Sequence, residues 1–229
     1  MAMRAPRIAL IHATAVAIEP VQIAFASLWP EARTTNLLED SLPADLAEAG
    51  ELTDAISARF VALARYVHNA GADAVLFTCS AFGAAIEAAS RAVPIPVLKP
   101  NEAMLEETLD AGQRIGLLAT FAPSIASVCG ELNALATARG VRIDIKTRTV
   151  AGALEALQSG RANEHDALIA EAAAELSNCD ALTLAQFSMA RAAASVAAAV
   201  PNAVVLTSPA SAVNRLKKLL TGRASSIRL

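Results

Sequence analysis

The chain has 229 residues, a formal net charge of −3 and 55% apolar residues, with alanine making up most of the apolar excess. That length supports one large α/β domain or two small ones, each with its own core. Aromatics make up only 3% and no basic run stands out, which removes the stacking platform and cationic stripe that nucleic acid asks for, and no apolar run reaches the ~18 residues of a membrane span.

The start, "MAMRAPRIALIHATAVAIEP", sets an arginine before an apolar run, as a signal peptide does. "RIALIHA" (7–13) reads better as a first core strand, and Glu19 and Pro20 follow without a clear cleavage site, so a cytoplasmic protein is expected. A helix near 17–28 and a strand "ARTTNLL" (32–38) come next. "NLLEDSLPADL" (36–46), with Asn36, Asp40 and Ser41, reads either as a loop able to close over a site or as an ordinary capped turn. A helix over 53–69 leads through Gly71 to the strand "DAVLFT" (73–78), then a helix over 83–92 and a short strand "PVL" (96–98). Lys99 reads as a solvated lysine or a contact for an anion, and Asn101 as the N-cap of a helix over 101–111. The strand "RIGLLA" (114–119) follows Gly112, which, like Gly71, stands where a left-handed residue would end a helix. Pro123 suits the first turn of a helix over 123–138. Beyond it lie a strand "VRIDIKT" (141–147), helices near 150–158 and 164–177, a strand "DALTLA" (180–185), a helix near 189–199, a strand "AVVL" (203–206) and a last helix, 209–220, with "NRLKKLL" on its solvated face. Strands that are apolar almost throughout, alternating with helices, predict parallel sheets covered on both faces.

An internal repeat organises these elements. "RIALI" returns as "RIGLL" at an offset of 107 (7 to 114), and "DAVLFTCSAFG" as "DALTLAQFSMA" at the same offset (73 to 180). The chain therefore reads as two pseudo-symmetric Rossmann-like halves, residues 1–99 and residues 100–207, with a site in a cleft between them. Ligands of open parallel sheets bind outside the carboxyl ends of strands. Here those ends carry His12–Thr14, Cys79–Ala81, Thr120–Phe121 and Gln186–Ser188, and Cys79 in one half corresponds to Gln186 in the other.

A duplicated chain of this size, with a cysteine after "GADAVLFT" and a matching "DALTLAQ" one repeat later, resembles the aspartate/glutamate racemase superfamily. That group includes amino-acid and hydantoin racemases, maleate isomerases and arylmalonate decarboxylases, and the resemblance covers essentially the whole chain. It implies chemistry at the carbon next to a carboxylate of a small organic or amino acid, no metal or organic cofactor, a homodimer, and a last segment, 208–229, that packs back on the first half. "RIGLLATF" (114–121) resembles the strand and threonine turn with which the family holds a substrate carboxylate. Its racemases use one cysteine from each half. Here Cys79 matches the first position and Gln186 stands at the second; arylmalonate decarboxylases also keep one cysteine, in the second half.

Each candidate has a functional and a packing reading. Cys79 is either a small buried hydrophobe or the base or nucleophile, its thiolate favoured by backbone N–H groups of the helix expected after it. His12 is a second acid–base group or a hydrogen-bonded structural histidine. Ser80, Ala81, Thr120, Phe121, Phe187 and Ser188 supply small surfaces, hydroxyls and N–H groups for a substrate, although Thr120 also suits a helix cap. Gln186 contacts substrate or fills the space of a lost cysteine. Cys129, mid-helix, and Cys179, at the wrong end of a strand, read as packing residues, and His68 and His165 as surface residues. Three odd-numbered, widely spaced cysteines without C-x-x-C argue for free thiols and against zinc. The function implied is a racemase or isomerase. A decarboxylase of a malonate-like acid with single-face protonation and a non-catalytic acid-binding protein are the alternatives.

Overall fold

The computed structural model describes residues 4–226, and at Pro123 and over 223–226 the backbone alone. Residues 1–3 of the signal-peptide reading and 227–229 of the first half lie outside the described residues. The chain forms two compact units, one running to Pro100 and resuming at Ala212, the other spanning Asn101–Ser211.

In the first unit, β1 (Arg7–His12), β2 (Arg33–Leu38), β3 (Ala74–Phe77) and β4 (Val97–Leu98) make a parallel sheet in the order β2-β1-β3-β4. Its helices are α1 (Ile18–Leu28), α2 (Leu42–Ala49), α3 (Asp54–Asn69) and α4 (Gly83–Ala92). The middle strands are buried on both faces because their sequences, RIALIH and AVLF, offer an apolar side chain at nearly every position. α3 starts where the Thr53 hydroxyl accepts the Ile56 N–H at 3.2 Å. Its spacing of Ile56, Phe60, Ala64 and Val67 puts one stripe against Ala9, Ile11, Val75 and Phe77 of the sheet. The Phe60 ring lies 5.1 Å from Phe77 and 4.9 Å from Phe82, which closes this core at the carboxyl end of β3.

The second unit repeats the plan. β5 (Arg114–Ala119), β6 (Asp144–Thr149), β7 (Ala181–Leu184) and β8 (Val204–Thr207) form a parallel sheet in the order β6-β5-β7-β8. Around it lie α5 (Glu102–Ala111), α6 (Ala122–Arg139), α7 (Ala153–Gln158), α8 (Ala162–Ala174), α9 (Ala193–Ala199) and the start of α10 (Ser208–Ser226). Leu118, Leu182 and Leu184 pack with Ile169 and Val196 on one face, while Ile115 and Leu117 pack with Met104, Val128 and Leu132 on the other. α10 continues from Ala212 into the first unit, where Lys217 Nζ donates to the Leu28 carbonyl at 3.0 Å.

The offset of 107 holds in three dimensions. Ile8 pairs with Ala74 as Ile115 pairs with Ala181, through to Ile11 with Phe77 and Leu118 with Leu184. The same aspartate pins both copies: Asp73 accepts the Arg7 N–H at 2.7 Å, and Asp180 the Arg114 N–H at 2.9 Å. Arg114 also pairs with Asp180 through its guanidinium, which with these backbone donors holds the Asp180 carboxyl down at about 2.

The structure corrects several sequence expectations. Of the two readings of segment 36–46 the loop falls and the turn stands, but the turn is short, running from the end of β2 straight into α2, a helix not expected there. The Arg59 guanidinium of α3 clamps that turn by pairing with Glu39 and Asp45 and donating to Ser41 Oγ at 2.6 Å. Gly71 has the expected positive φ of 88°, but Gly112 is near-extended, with φ 159° and ψ −172°. Glycine is required there by space, because a Cβ would overlap the Asp180 side chain. Strand β6 begins at Asp144, three residues after the expected start at Val141. His165 is fully buried on α8, not on the surface, and bonds Asp166 at 2.7 Å.

Candidate active site

At the carboxyl end of the first sheet, β1 delivers His12 and β2 delivers Asn36, with Thr78 directly after β3. His12 is fully buried. Its Nε2 lies 3.0 Å from Asn36 Oδ1 and its Nδ1 2.9 Å from Thr78 Oγ1. An amide oxygen only accepts, so Nε2–H donates to Asn36 and the neutral ring accepts the Thr78 hydroxyl at Nδ1. Burial pushes the His12 pKa below 6.5, against the opposing effect of the Asn36 bond. His12 is therefore a neutral tie from the end of β1 to the body of β2 and the exit of β3, with both nitrogens engaged. Thr78 was not singled out in the sequence; the signal was its register position, one residue beyond the Ile11–Phe77 pair and thus opposite His12.

Cys79 follows in extended backbone, half-buried against the α3–α4 core. The helix begins at Gly83, where it was expected, and a single 3-10 turn, Ser80–Phe82, separates it from Cys79. Ser80 and Ala81 are exposed on this turn. Burial pushes the Cys79 thiol up from 9.0, and the Ala81 backbone N–H pulls it the other way with smaller effect. The thiol is thus protonated at neutral pH, contrary to the thiolate expected from a helix N-terminus.

The second unit places a different set at the matching ends. Thr120, after β5, is 9% exposed, and its backbone N–H donates to Gln186 Oε1, after β7, at 3.0 Å. Gln186 Nε2 is buried and meets no protein acceptor. Phe121 is exposed, Phe187 is buried in the 3-10 turn Phe187–Ala192, and Ser188 is half-buried there. At positions matching His12 and Thr78 stand Ala119 and Ala185, so the His12 tie has no counterpart.

The remaining candidates resolve into packing. Cys179 is 4% exposed and its sulfur lies where a Cβ on Gly116 would come within 3.3 Å. Cys129 is mid-helix in α6. Lys99 pairs with Glu87 at 2.9 Å. Asn101 precedes α5 without a side-chain cap and instead accepts the Ser208 hydroxyl at 2.8 Å. Among the described residues no group of three or more His, Cys, Asp or Glu is placed to hold a metal ion, and no helix is long and apolar enough to cross a membrane.

The model of the Asp/Glu/Hydantoin racemase family matches residues 13–216, a span that includes every strand end described above except His12. The chain belongs to that family. No curated protein matches this family member in sequence. Its fold is similar to that of an aspartate racemase homologue from Pyrococcus horikoshii, at 14% identity and TM-score 0.71, covering 96% of this chain and 100% of that one. A glutamate racemase from Bacillus anthracis is similar at 13% identity and TM-score 0.70, covering 96% and 84%. A variant of arylmalonate decarboxylase is similar at 20% identity and TM-score 0.65, covering 93% and 92%. The family thus accounts for the doubled α/β frame.

Proposed function

We propose that the protein is a racemase- or isomerase-like enzyme that moves a proton at the carbon next to the carboxylate of a small organic or amino acid, with Cys79 as the proton carrier. The observation that supports this reading is a half-buried thiol at the carboxyl end of β3 in a chain of the Asp/Glu/Hydantoin racemase family. The residues it draws on stand at the carboxyl ends of strands in each half, and the reading asks for no metal or organic cofactor. Sγ gives its own proton to solvent and takes the α-proton, the electron pair passes into the carboxyl group as an enolate, and a proton from Sγ–H or solvent returns to carbon to complete the turnover. Ser80, Ser188 and the N–H groups of the two 3-10 turns are the donors suited to that oxygen, and Thr120, Phe121 and Phe187 line the acid. His12 and Asn36 support Thr78 and thereby the base of the Cys79 turn. A homodimer, on the strength of the family resemblance alone, and a cytoplasmic location, on the strand reading of the N-terminal segment, complete the proposal.

Two features favour a second reading, decarboxylation. Cys79 rests protonated, and its counterpart Gln186 does not titrate. In that reaction the C–C bond to the leaving carboxylate breaks, carbon dioxide departs, and Sγ–H gives its proton to one face of the enolate; the thiolate is reprotonated from solvent.

Incubation with small carboxylic acids in deuterated water tests the proposal. α-Proton exchange followed by NMR should fall by about 10²-fold or more in Cys79→Ser, the loss expected for a group transferring a proton in the transition state. Carbon dioxide release without exchange of the starting acid identifies the second reading. Wild-type protein that does neither, or a Cys79→Ser variant as active as wild type, refutes the role of the thiol.

A further inference from the structure

Gln186 holds a directional device. A primary amide has an acceptor end and a donor end. The backbone N–H of Thr120, which cannot turn, donates to Oε1 at 3.0 Å. Flipping the amide would set its NH2 against that N–H, donor against donor, so the orientation is fixed by the backbone of β5's exit. The opposite end, Nε2, is buried and has no protein acceptor. A buried donor left in this way forfeits a bond that proteins rarely leave unmade. The same position in the first unit, 107 residues earlier, is Cys79.

We propose that Gln186 is a preset hydrogen-bond donor for an acceptor oxygen of the ligand, so that this strand end selects a carboxylate or its enolate and rejects an ammonium group. The assignment rests on the reading of these strand ends as the active site, and it deepens that reading by giving the two halves unlike tasks. The first half carries the group that titrates. The second carries a group that binds oxygen and exchanges no proton with carbon. A charged carboxylate oxygen is the stronger partner for such an N–H.

Side-chain amide NMR of the full chain tests this directly, with sodium acetate as the probe and methylammonium chloride as the control at equal ionic strength. The Gln186 pair is assigned by its disappearance in Gln186→Leu. Acetate should move that pair downfield along a saturating curve, and methylammonium should leave it in place. Gln186→Glu keeps an oxygen for the Thr120 N–H and puts a carboxylate where the donor was, so it should weaken acetate binding at least about tenfold. A Gln186 pair that acetate does not move, or one that methylammonium moves equally, overturns the assignment. So does a folded Gln186→Glu that binds acetate as wild type does. Deuterium exchange at the α-carbon separates this result from the fate of the proposed function. Exchange with an unmoved Gln186 pair leaves the function standing and the donor role refuted. A shifted pair without exchange or decarboxylation does the reverse.

Discussion

At His12 the folded chain holds a neutral imidazole out of water between Asn36 and Thr78. Its folded pKa lies below the ordinary 6.5, so the unfolded chain binds this proton more readily. The contribution is complete above about pH 6.5 and is lost as pH falls through and below that value. Melting temperature should therefore drop between about pH 7.5 and about pH 5, and drop less steeply in His12→Gln, which is itself less stable by about 1–3 kcal/mol because Asn36 and Thr78 lose their partner. Parallel pH profiles for the two proteins would contradict this. The sequence made His12 a candidate as a strand end and Asn36 one as part of a segment able to close over a site, but did not reveal that they touch, since only the β1–β2 pairing brings residues 24 apart together. Cys79 was legible by position and not by ionisation: whether a thiol is desolvated depends on the core it packs against, which draws on residues far along the chain. His165 escaped for a similar reason, because a histidine among Asn, Glu and Asp on α8 reads as solvated until its inward face is known.

Among the elements, two glycines give opposite expectations. A methyl group at Gly112 would collide with Asp180, whose carboxylate takes the N–H groups of Gln113 and Arg114 and so fixes the entry of β5. Gly112→Ala should cost about 1–3 kcal/mol in chemical denaturation. Gly130 sits mid-way in α6 with nothing within 4 Å of a would-be Cβ, so Gly130→Ala should gain up to about 1 kcal/mol by helix propensity. A neutral Gly112→Ala would show that Asp180 can move. Element type was legible wherever an apolar period was sustained, as in RIGLLA, whose predicted and observed limits coincide. α2 was missed because Asp40, Ser41 and Pro43 spell turn chemistry, and the helix they open is held by Arg59, far along the chain. β6 slipped because Val141 and Arg142 continue the alternation of the strand while the chain is still leaving α6.

For the molecule as a whole, the doubled frame was readable because its repeat lies in the parts that must not vary: the paired strands and the aspartates that pin them. The strand ends, where the copies differ, were readable as places and not as chemistry. Hydrogen exchange should follow the frame. Amides of β1, β3, β5 and β7, buried throughout or nearly so, should be the slowest in the chain, and those of β2 and β6, exposed at most positions, should exchange well before them. Equal protection across each sheet would contradict this ordering. The outer position of β6 also bears on solubility. A strand with one unpaired flank is a template for another chain, and β6 meets solvent there with Asp144, Lys146 and Arg148, the last paired to Glu175. Adding a further strand would crowd those side chains and strip water from their charges. The rim of the second sheet is thereby guarded against recruitment into aggregates, and stripping its charges would expose the protein to that fate while leaving the strand-end chemistry untouched.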